Sequence, residues 1–351
     1  MELSRLGWDE FFAKAFEPFA NGLEPARVVS HSRGIYRLRD GGGEMLAWLG
    51  GGFRGSEHPV TGDWVVFDPA RGAVAAALPR RSKISRKKAG RAVEEQVLAA
   101  NVDVLFVVTA LDGDFNPRRL ERYLVMGLEG GAKPVIVLNK SDVCDDPLPV
   151  IRAADRIAVA AGDAEIPVLL VSALENRAVE QLACWMKPGQ TAALVGSSGV
   201  GKSTIVNRLL GAERQAVRPV RDHDHRGQHA TTTRELFLLE AGWLLIDTPG
   251  LRELEPWTGP ESLDAVFGDI ESLAAGCRFR DCRHAGEPGC AVARAVEEGS
   301  LESGRLASYH KLQAELAHLQ RMQDVHLAAD YKREVRRMHR RMRDMPVKGG
   351  P

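Results

Sequence analysis

Hydrophobic and polar positions alternate in several distinct textures along this chain. Residues up to about Pro25 read as a short helical lead-in. From Arg27 to Leu78, short β-type runs (Arg27–Val29, Ile35–Leu38, Met45–Leu49 and Asp63–Phe67) are broken by turn signals, including Gly41-Gly42-Gly43 and Gly50-Gly51-Gly52. About five short strands in such a span predict a small barrel, of which the OB-fold is the commonest nucleic-acid-binding type; an SH3-like barrel would give the same pattern. From Asn101 to Asp247 the runs lengthen and become almost continuously apolar: Val104–Thr109, Pro134–Leu138, Pro167–Val171, Thr191–Val195 and Trp243–Ile246. Buried strands alternating with helical stretches predict a mainly parallel sheet with helices on both faces. From about Ser303 the spacing turns helical, with Tyr309, Leu312, Leu316 and Leu319 on one stripe that should pack against the module before it.

Length and charge refine this picture. At 351 residues the chain exceeds what one core usually serves, so several domains are expected. The boundaries read as an N-terminal extension (1–25), an OB-type RNA-binding barrel (26–82), a basic linker (83–100), an α/β domain (101–260), a helical domain (261–330) and a basic tail (331–351). Acids and bases balance at 47 each, but they are segregated. Seven bases and no acid lie between Arg80 and Arg91, and seven bases with two acids lie between Tyr331 and Met345. Both patches suit phosphate contact, with a solvated hinge as the alternative for the first. No stretch of 18 uncharged apolar residues occurs, so a soluble cytoplasmic protein with no membrane partner is expected. A monomer is the expected state.

The α/β region carries the chemistry. Gly196-Ser197-Ser198-Gly199-Val200-Gly201-Lys202-Ser203, followed by Thr204, is a phosphate loop between a strand and a helix. Its glycines let backbone amides face the phosphates, Lys202 reaches the β- and γ-phosphates, and Ser203 offers a hydroxyl to Mg2+. Asn139-Lys140-Ser141-Asp142 reads as a guanine motif. A carboxylate at Asp142 accepts from the guanine N1 and exocyclic amino hydrogens, whereas adenine would leave it unpaired. Asn139 and Lys140 brace the loop, and Ser172-Ala173 supply an amide to the guanine oxygen. Asp247 would hold Mg2+ through water, and the Gly250 amide would meet the γ-phosphate. Between them, Arg221–Thr233 fits a switch segment in which Thr231 or Thr232 ligates Mg2+. Leu251 stands where Ras-like enzymes carry a water-orienting glutamine, so unaided hydrolysis should be slow and His229 becomes the catalytic candidate alongside Lys202, with a solvated or partner-contacting histidine as the alternative. The base motif precedes the phosphate loop, which is the order of a circularly permuted GTPase.

Of five cysteines, Cys277, Cys282 and Cys290 cluster with His284, giving the four ligands of a closed, structural zinc site. The fold class that follows is multidomain: an N-terminal OB-fold β-barrel, a circularly permuted P-loop α/β G domain and a C-terminal α-helical zinc-binding domain.

The motif order, the barrel ahead of it, Gln96–Asp103, Gly227-Gln228-His229 and Cys282 through Glu287-Pro288-Gly289-Cys290 resemble the circularly permuted RsgA family of bacterial small-ribosomal-subunit biogenesis GTPases. The likeness spans roughly residues 26–330. It implies a GTP-hydrolysing late maturation factor that binds the small (30S) subunit and its rRNA, is stimulated by it to hydrolyse GTP, and leaves afterwards. It also implies one structural Zn2+, Mg2+ with GTP, and a catalytic role for His229. Potassium is left open. Ala230 departs from the family's run of threonines directly after the histidine, so the choice between Thr231 and Thr232 is open. The rival readings are a GTP-gated RNA chaperone, an RNA-binding module with a dead nucleotide site, and a permuted GTPase of another ribosome-assembly pathway.

Overall fold

The computed structural model describes residues 2–55, 57–87, 95–161, 165–175, 177–211, 234–247, 260–318 and 321. His229, Thr231, Thr232, Gly250, Leu319 and the basic tail lie outside them.

The lead-in is helix α1 (Glu10–Phe16), capped by Asp9, whose carboxylate accepts from the Phe11 and Phe12 amides. Buried Leu6 and Phe12 and the ring of Trp8, 4.7 Å from that of Trp64, fasten this segment to the barrel. Strands β1 (Glu24–Ser32), β2 (Ile35–Arg39), β3 (Glu44–Arg54), β4 (Trp64–Asp68) and β5 (Ala73–Ala77) close in the order β1-β2-β3-β5-β4. A parallel β3–β5 contact and β1–β4 closure make it an OB-type barrel. The fifth strand, Ala-Val-Ala-Ala-Ala, carries almost no strand propensity. It forms because its small side chains fit the closed barrel core, where Ala73, Val74 and Ala76 are buried.

Among the described residues, the basic segment enters paired structure on both sides of 88–94. Strands β6 (Lys83–Lys87) and β7 (Glu95–Ala100) pair as an antiparallel ribbon. Ile84, Leu98, Ala99 and Ala100 are buried, and the bases Arg80, Arg81, Lys83 and Arg86 find protein partners. Arg80 pairs with Asp63, whose side chain is 1% exposed, and Lys83 pairs with Glu95.

Six strands form the central sheet: β8 (Val104–Ala110), β9 (Lys133–Asn139), β10 (Val168–Leu170), β11 (Thr191–Val195), β12 (Glu235–Leu238) and β13 (Leu244–Asp247). Their order is β10-β9-β8-β11-β13-β12, parallel except for β12, an antiparallel edge strand absent from the sequence expectation. Helices α2 (Pro117–Glu129), α3 (Leu148–Ala160), α4 (Arg177–Ala183) and α5 (Lys202–Leu210) connect them. The chain runs from β8 to one side through β9 and β10, then returns to β11 on the other side. The gap between the carboxyl ends of β8 and β11 is therefore the topological switch point where open α/β sheets bind ligands.

Arg27 joins the barrel to this sheet from a fully buried position. Its guanidinium donates to Gly62 O (3.2 Å), Asn101 O (3.3 Å), Thr191 Oγ1 (2.8 Å) and Leu6 O. Burial pushes its pKa down to about 10. Gly62, at φ +94°, is required at this seam, because a Cβ there would stand 2.2 Å from Ala100 O.

The C-terminal unit comprises α6 (Pro260–Val266), α7 (Gly268–Ala274), α8 (Ala291–Glu297) and a helix over residues 303–318. Tyr309, Leu312 and Leu316 are buried as expected, in one core with Phe267, Ile270 and Val292, and that core is continuous with Leu120 and Leu124 of α2. The stripe therefore packs on the α/β domain as well as on the zinc module.

Candidate guanine-nucleotide site and metal centre

Among the described residues, the nucleotide motifs fall at the carboxyl ends of strands. The phosphate loop follows β11 and opens into α5, with Gly196 at φ +149°, Gly199 at +84° and Gly201 at +95°. Two of these glycines are needed for space as well. A Cβ on Gly196 would meet Val108 O at 2.1 Å, and one on Gly201 would meet Asn139 Nδ2 at 2.2 Å. Lys202 Nζ donates to Gly196 O (2.6 Å) and to Ser197 O, so its charge sits over the loop it would share with phosphates.

Asn139 ends β9 and is 1% exposed. Its Nδ2 donates to Val200 O of the phosphate loop (2.7 Å), and its Oδ1 accepts from the Ala173 amide (2.9 Å). One side chain thus ties together the base motif, the phosphate loop and the loop after β10. Ser172 Oγ donates to Asp142 Oδ1 (2.6 Å), orienting that carboxylate. Lys140 adopts φ +65° and pairs with Asp112. Asp247 ends β13, one strand beyond the phosphate loop's strand. The structure so assembles Asn139, Lys140, Asp142, Ser172, Ala173, Gly196–Thr204 and Asp247 along one edge of the sheet.

Other contributors were not singled out in the sequence. Asp112 and Asp114, in the loop after β8, reach Lys140 and Ser197 respectively, and Arg119 neutralises Asp114. Arg208 of α5 donates to Leu174 O at 2.9 Å. The available signal was positional: acidic residues directly after a buried parallel strand lie at the ligand edge.

The second cluster lies in the C-terminal unit. Cys277, just after α7, Cys282, His284 and Cys290, at the N-cap of α8, place their ligand atoms within 4.8 Å of one another. Cys277 Sγ stands 3.9 Å from Cys290 Sγ and 3.6 Å from His284 Nδ1, with Cys290 Sγ 3.5 Å from the same nitrogen. Tetrahedral zinc, with Zn–S of ~2.3 Å and Zn–N of ~2.0–2.1 Å, demands S···S edges of about 3.8 Å and S···N edges of about 3.6 Å. The donor set therefore fits. Amides of Ala291 and Ala293 donate to the Cys277 and Cys290 sulfurs, each at 3.3 Å. Burial pushes the Cys277 thiol up, but donation from Ala291, Val292 and the neighbouring thiols outweighs it and leaves the group below its ordinary value. Glu287 shapes the intervening loop by accepting from the Arg283 and Ala285 amides.

No helix among the described residues is long and apolar enough to cross a membrane. A family model described as RsgA GTPase matches residues 77–257. The chain is 46% identical over 347 residues to the small ribosomal subunit biogenesis GTPase RsgA of Opitutus terrae, covering 93% of each. It is 40% identical over 337 residues to the protein of the same name from Methanosarcina acetivorans, covering 95% of this chain and 90% of that one. Among solved structures, YjeQ from Thermotoga maritima superposes with a TM-score of 0.61 at 24% identity, covering 84% of this chain and 99% of that one. YloQ, described as a circularly permuted GTPase, gives 0.61 at 24%, covering 86% and 97%. Those two likenesses establish the fold, and the family model together with the close sequence relatives establishes that this chain belongs to the RsgA GTPase family.

Proposed function

We propose that this chain binds GTP at the β8–β11 switch point, hydrolyses it, and serves in maturation of the small ribosomal subunit. The observation that carries the nucleotide reading is the Asn139 bridge, which joins the two motifs whose order in the chain is inverted. Partner and pathway follow from the curated relatives, which bear the name small ribosomal subunit biogenesis GTPase. That consistency favours the small subunit over another assembly pathway.

In this reading Asp142, held by Ser172, accepts from the guanine N1 and amino hydrogens, and the Ala173 amide donates to the guanine oxygen. The amides of Gly196–Gly201 and Lys202 hold the phosphates, placed so that negative charge developing on the γ-phosphoryl oxygens is met by fixed donors. Mg2+, when bound, neutralises phosphate charge, and Ser203, Asp247 and Thr231 or Thr232 are the side chains suited to hold it. Among the water-positioning candidates, His229 is the chain's own, and it lies outside the described residues, as does Gly250. Zn2+ held by Cys277, Cys282, His284 and Cys290 would brace the C-terminal unit; all four positions being protein-filled, it leaves no room for an activated water. The barrel is the candidate rRNA-binding element. A monomer working in the cytoplasm remains part of the proposal.

The test is single-turnover GTP hydrolysis with and without purified small subunits, together with co-sedimentation on separated subunits in GTP and GDP. Stimulation of the order of 10³-fold and nucleotide-dependent binding to small subunits are expected. Binding without stimulation would favour a GTP-gated chaperone, and co-sedimentation with large subunits alone would refute the pathway.

A further inference from the structure

The loop between β8 and α2 clamps both halves of the nucleotide site, although no nucleotide motif runs through it. Asp112 pairs with Lys140 of the base motif. Two residues later, Asp114 Oδ2 accepts from Ser197 Oγ of the phosphate loop at 2.7 Å and from Thr109 Oγ1 at 3.4 Å. The same carboxylate is paired with Arg119 Nη2 at 2.8 Å, and Arg119 also donates to Asp114 O. Asp114 is itself well placed, because the next turn is fixed by Asn116, which caps α2 by accepting from the Arg118 and Arg119 amides.

Other tethers of the phosphate loop among the described residues lie elsewhere along it. Asn139 holds its far end through Val200 O, and Lys202 holds carbonyls within the loop. Ser197, near the start of the loop, is tied outward by Asp114. A carboxylate this close to a phosphate site would repel the ligand if left bare, and Arg119 removes that objection by neutralising it. The geometry points to Asp114 as a positioning residue of the GTPase reaction: through Ser197 it sets the backbone course of the phosphate loop, with Arg119 masking its charge from the γ-phosphate side. This rests on the GTP reading above. Asp114 is proposed to act through Ser197, as a positioning rather than a catalytic residue.

The test is a double-mutant cycle on the full chain with Asp114→Ala, Ser197→Ala and both, read as KM and kcat for GTP and as affinity for a fluorescent GDP analogue. Each single variant is expected to raise KM and weaken GDP about tenfold, the equivalent of one hydrogen bond to a charged group. The double variant should be no worse than either single one, because both remove the same contact. Asp114→Asn keeps an oxygen for Ser197 and should bind GDP within about threefold of the unmodified chain; with Ser197→Ala it also serves if Asp114→Ala fails to fold. Multiplying effects in the double variant, or unchanged KM and GDP affinity in the single ones, would overturn the proposal. So would a loss in Asp114→Asn as large as in Ser197→Ala. An unmodified chain that binds no guanine nucleotide would instead sink the GTP reading itself, which separates the two failures.

Discussion

Arg305→Ala should detach the C-terminal unit from α2 more effectively than any other single change among the described residues. The Arg305 side chain is 9% exposed and faces two carboxylates. It donates to Asp269 at 2.6 and 2.7 Å, to Glu121 Oε1 at 2.9 Å and to Val266 O at 3.0 Å, with its guanidinium 4.7 Å from the Phe267 ring centroid. Glu121 lies on α2 with no exposed side-chain surface and, among the described residues, otherwise keeps Arg118 (2.7 Å) and Ser308 (2.6 Å). Burial already pushes the Glu121 carboxyl above the ordinary glutamate value, and the bonds from Ser308, Arg118 and Arg305 hold it back. Removing the arginine therefore takes one of the two cations from a buried carboxylate and leaves Asp269 without its pair. Breaking a buried pair in this way costs about 3–5 kcal/mol. Arg305→Lys keeps the charge but loses the two-pronged grip on Asp269, and should cost about 1.5–3 kcal/mol. Because a chain of several domains need not unfold in one step, the assay is residue-resolved hydrogen exchange of 263–316 against the barrel. Protection should fall in the C-terminal unit and α2 while the barrel is unchanged. A loss below about 1 kcal/mol, or additive costs for Glu121→Ala and Arg305→Ala in the double variant, would refute the reasoning.

Other expectations follow from the same geometry. Asn139→Ala removes the bonds to Val200 O and from Ala173 N, two contacts of about 1 kcal/mol each, so GDP affinity measured by titration calorimetry should fall roughly 30-fold with little change in the barrel. Chelation should release one zinc per chain, read by elemental analysis, and should abolish exchange protection in α7 and α8 while leaving GDP affinity within a few-fold; undiminished protection would rule out a structural metal. His31 stacks on Tyr36, and its pKa is lowered by burial and by Arg234 and His58, against the opposing pull of Asp63. A depressed folded pKa contributes stability that is fully present above the ordinary value of 6.5 and is lost as pH falls through the folded value. His31→Phe should therefore flatten the acid limb of the denaturant midpoint below pH 6.5, and an unchanged limb would exclude this group.

Local patterns carried much of the fold. The five buried-strand runs of the α/β region recur almost residue for residue as β8, β9, β10, β11 and β13, because continuous apolar runs of that length have nowhere to go but a sheet covered on both faces. The phosphate loop, the guanine motif and the Cys3His cluster were legible for a similar reason. Their chemistry depends on residue types at fixed short spacing, and backbone geometry then brings them together. The edge strand β12 and the alanine strand β5 were not legible, since both owe their form to pairing partners rather than to their own residues.

What only the tertiary structure decided is which distant groups meet. Asn139 and Val200 are 61 residues apart, Ser197 and Asp114 are 83 apart, and Glu121 and Arg305 are 184 apart. Nothing in the spacing of such residues distinguishes a solvated side chain from a buried bridge. The basic segment at Arg80–Lys83 illustrates the point: its charges read as an open patch in the sequence, but Asp63 and Glu95 claim Arg80 and Lys83 once the barrel and ribbon form. Sequence determined the motifs, their inverted order and the family, because these are properties of neighbouring residues along the chain. Packing decided how the nucleotide loops are braced and where the C-terminal unit docks, because burial makes a charge find a partner wherever the fold supplies one.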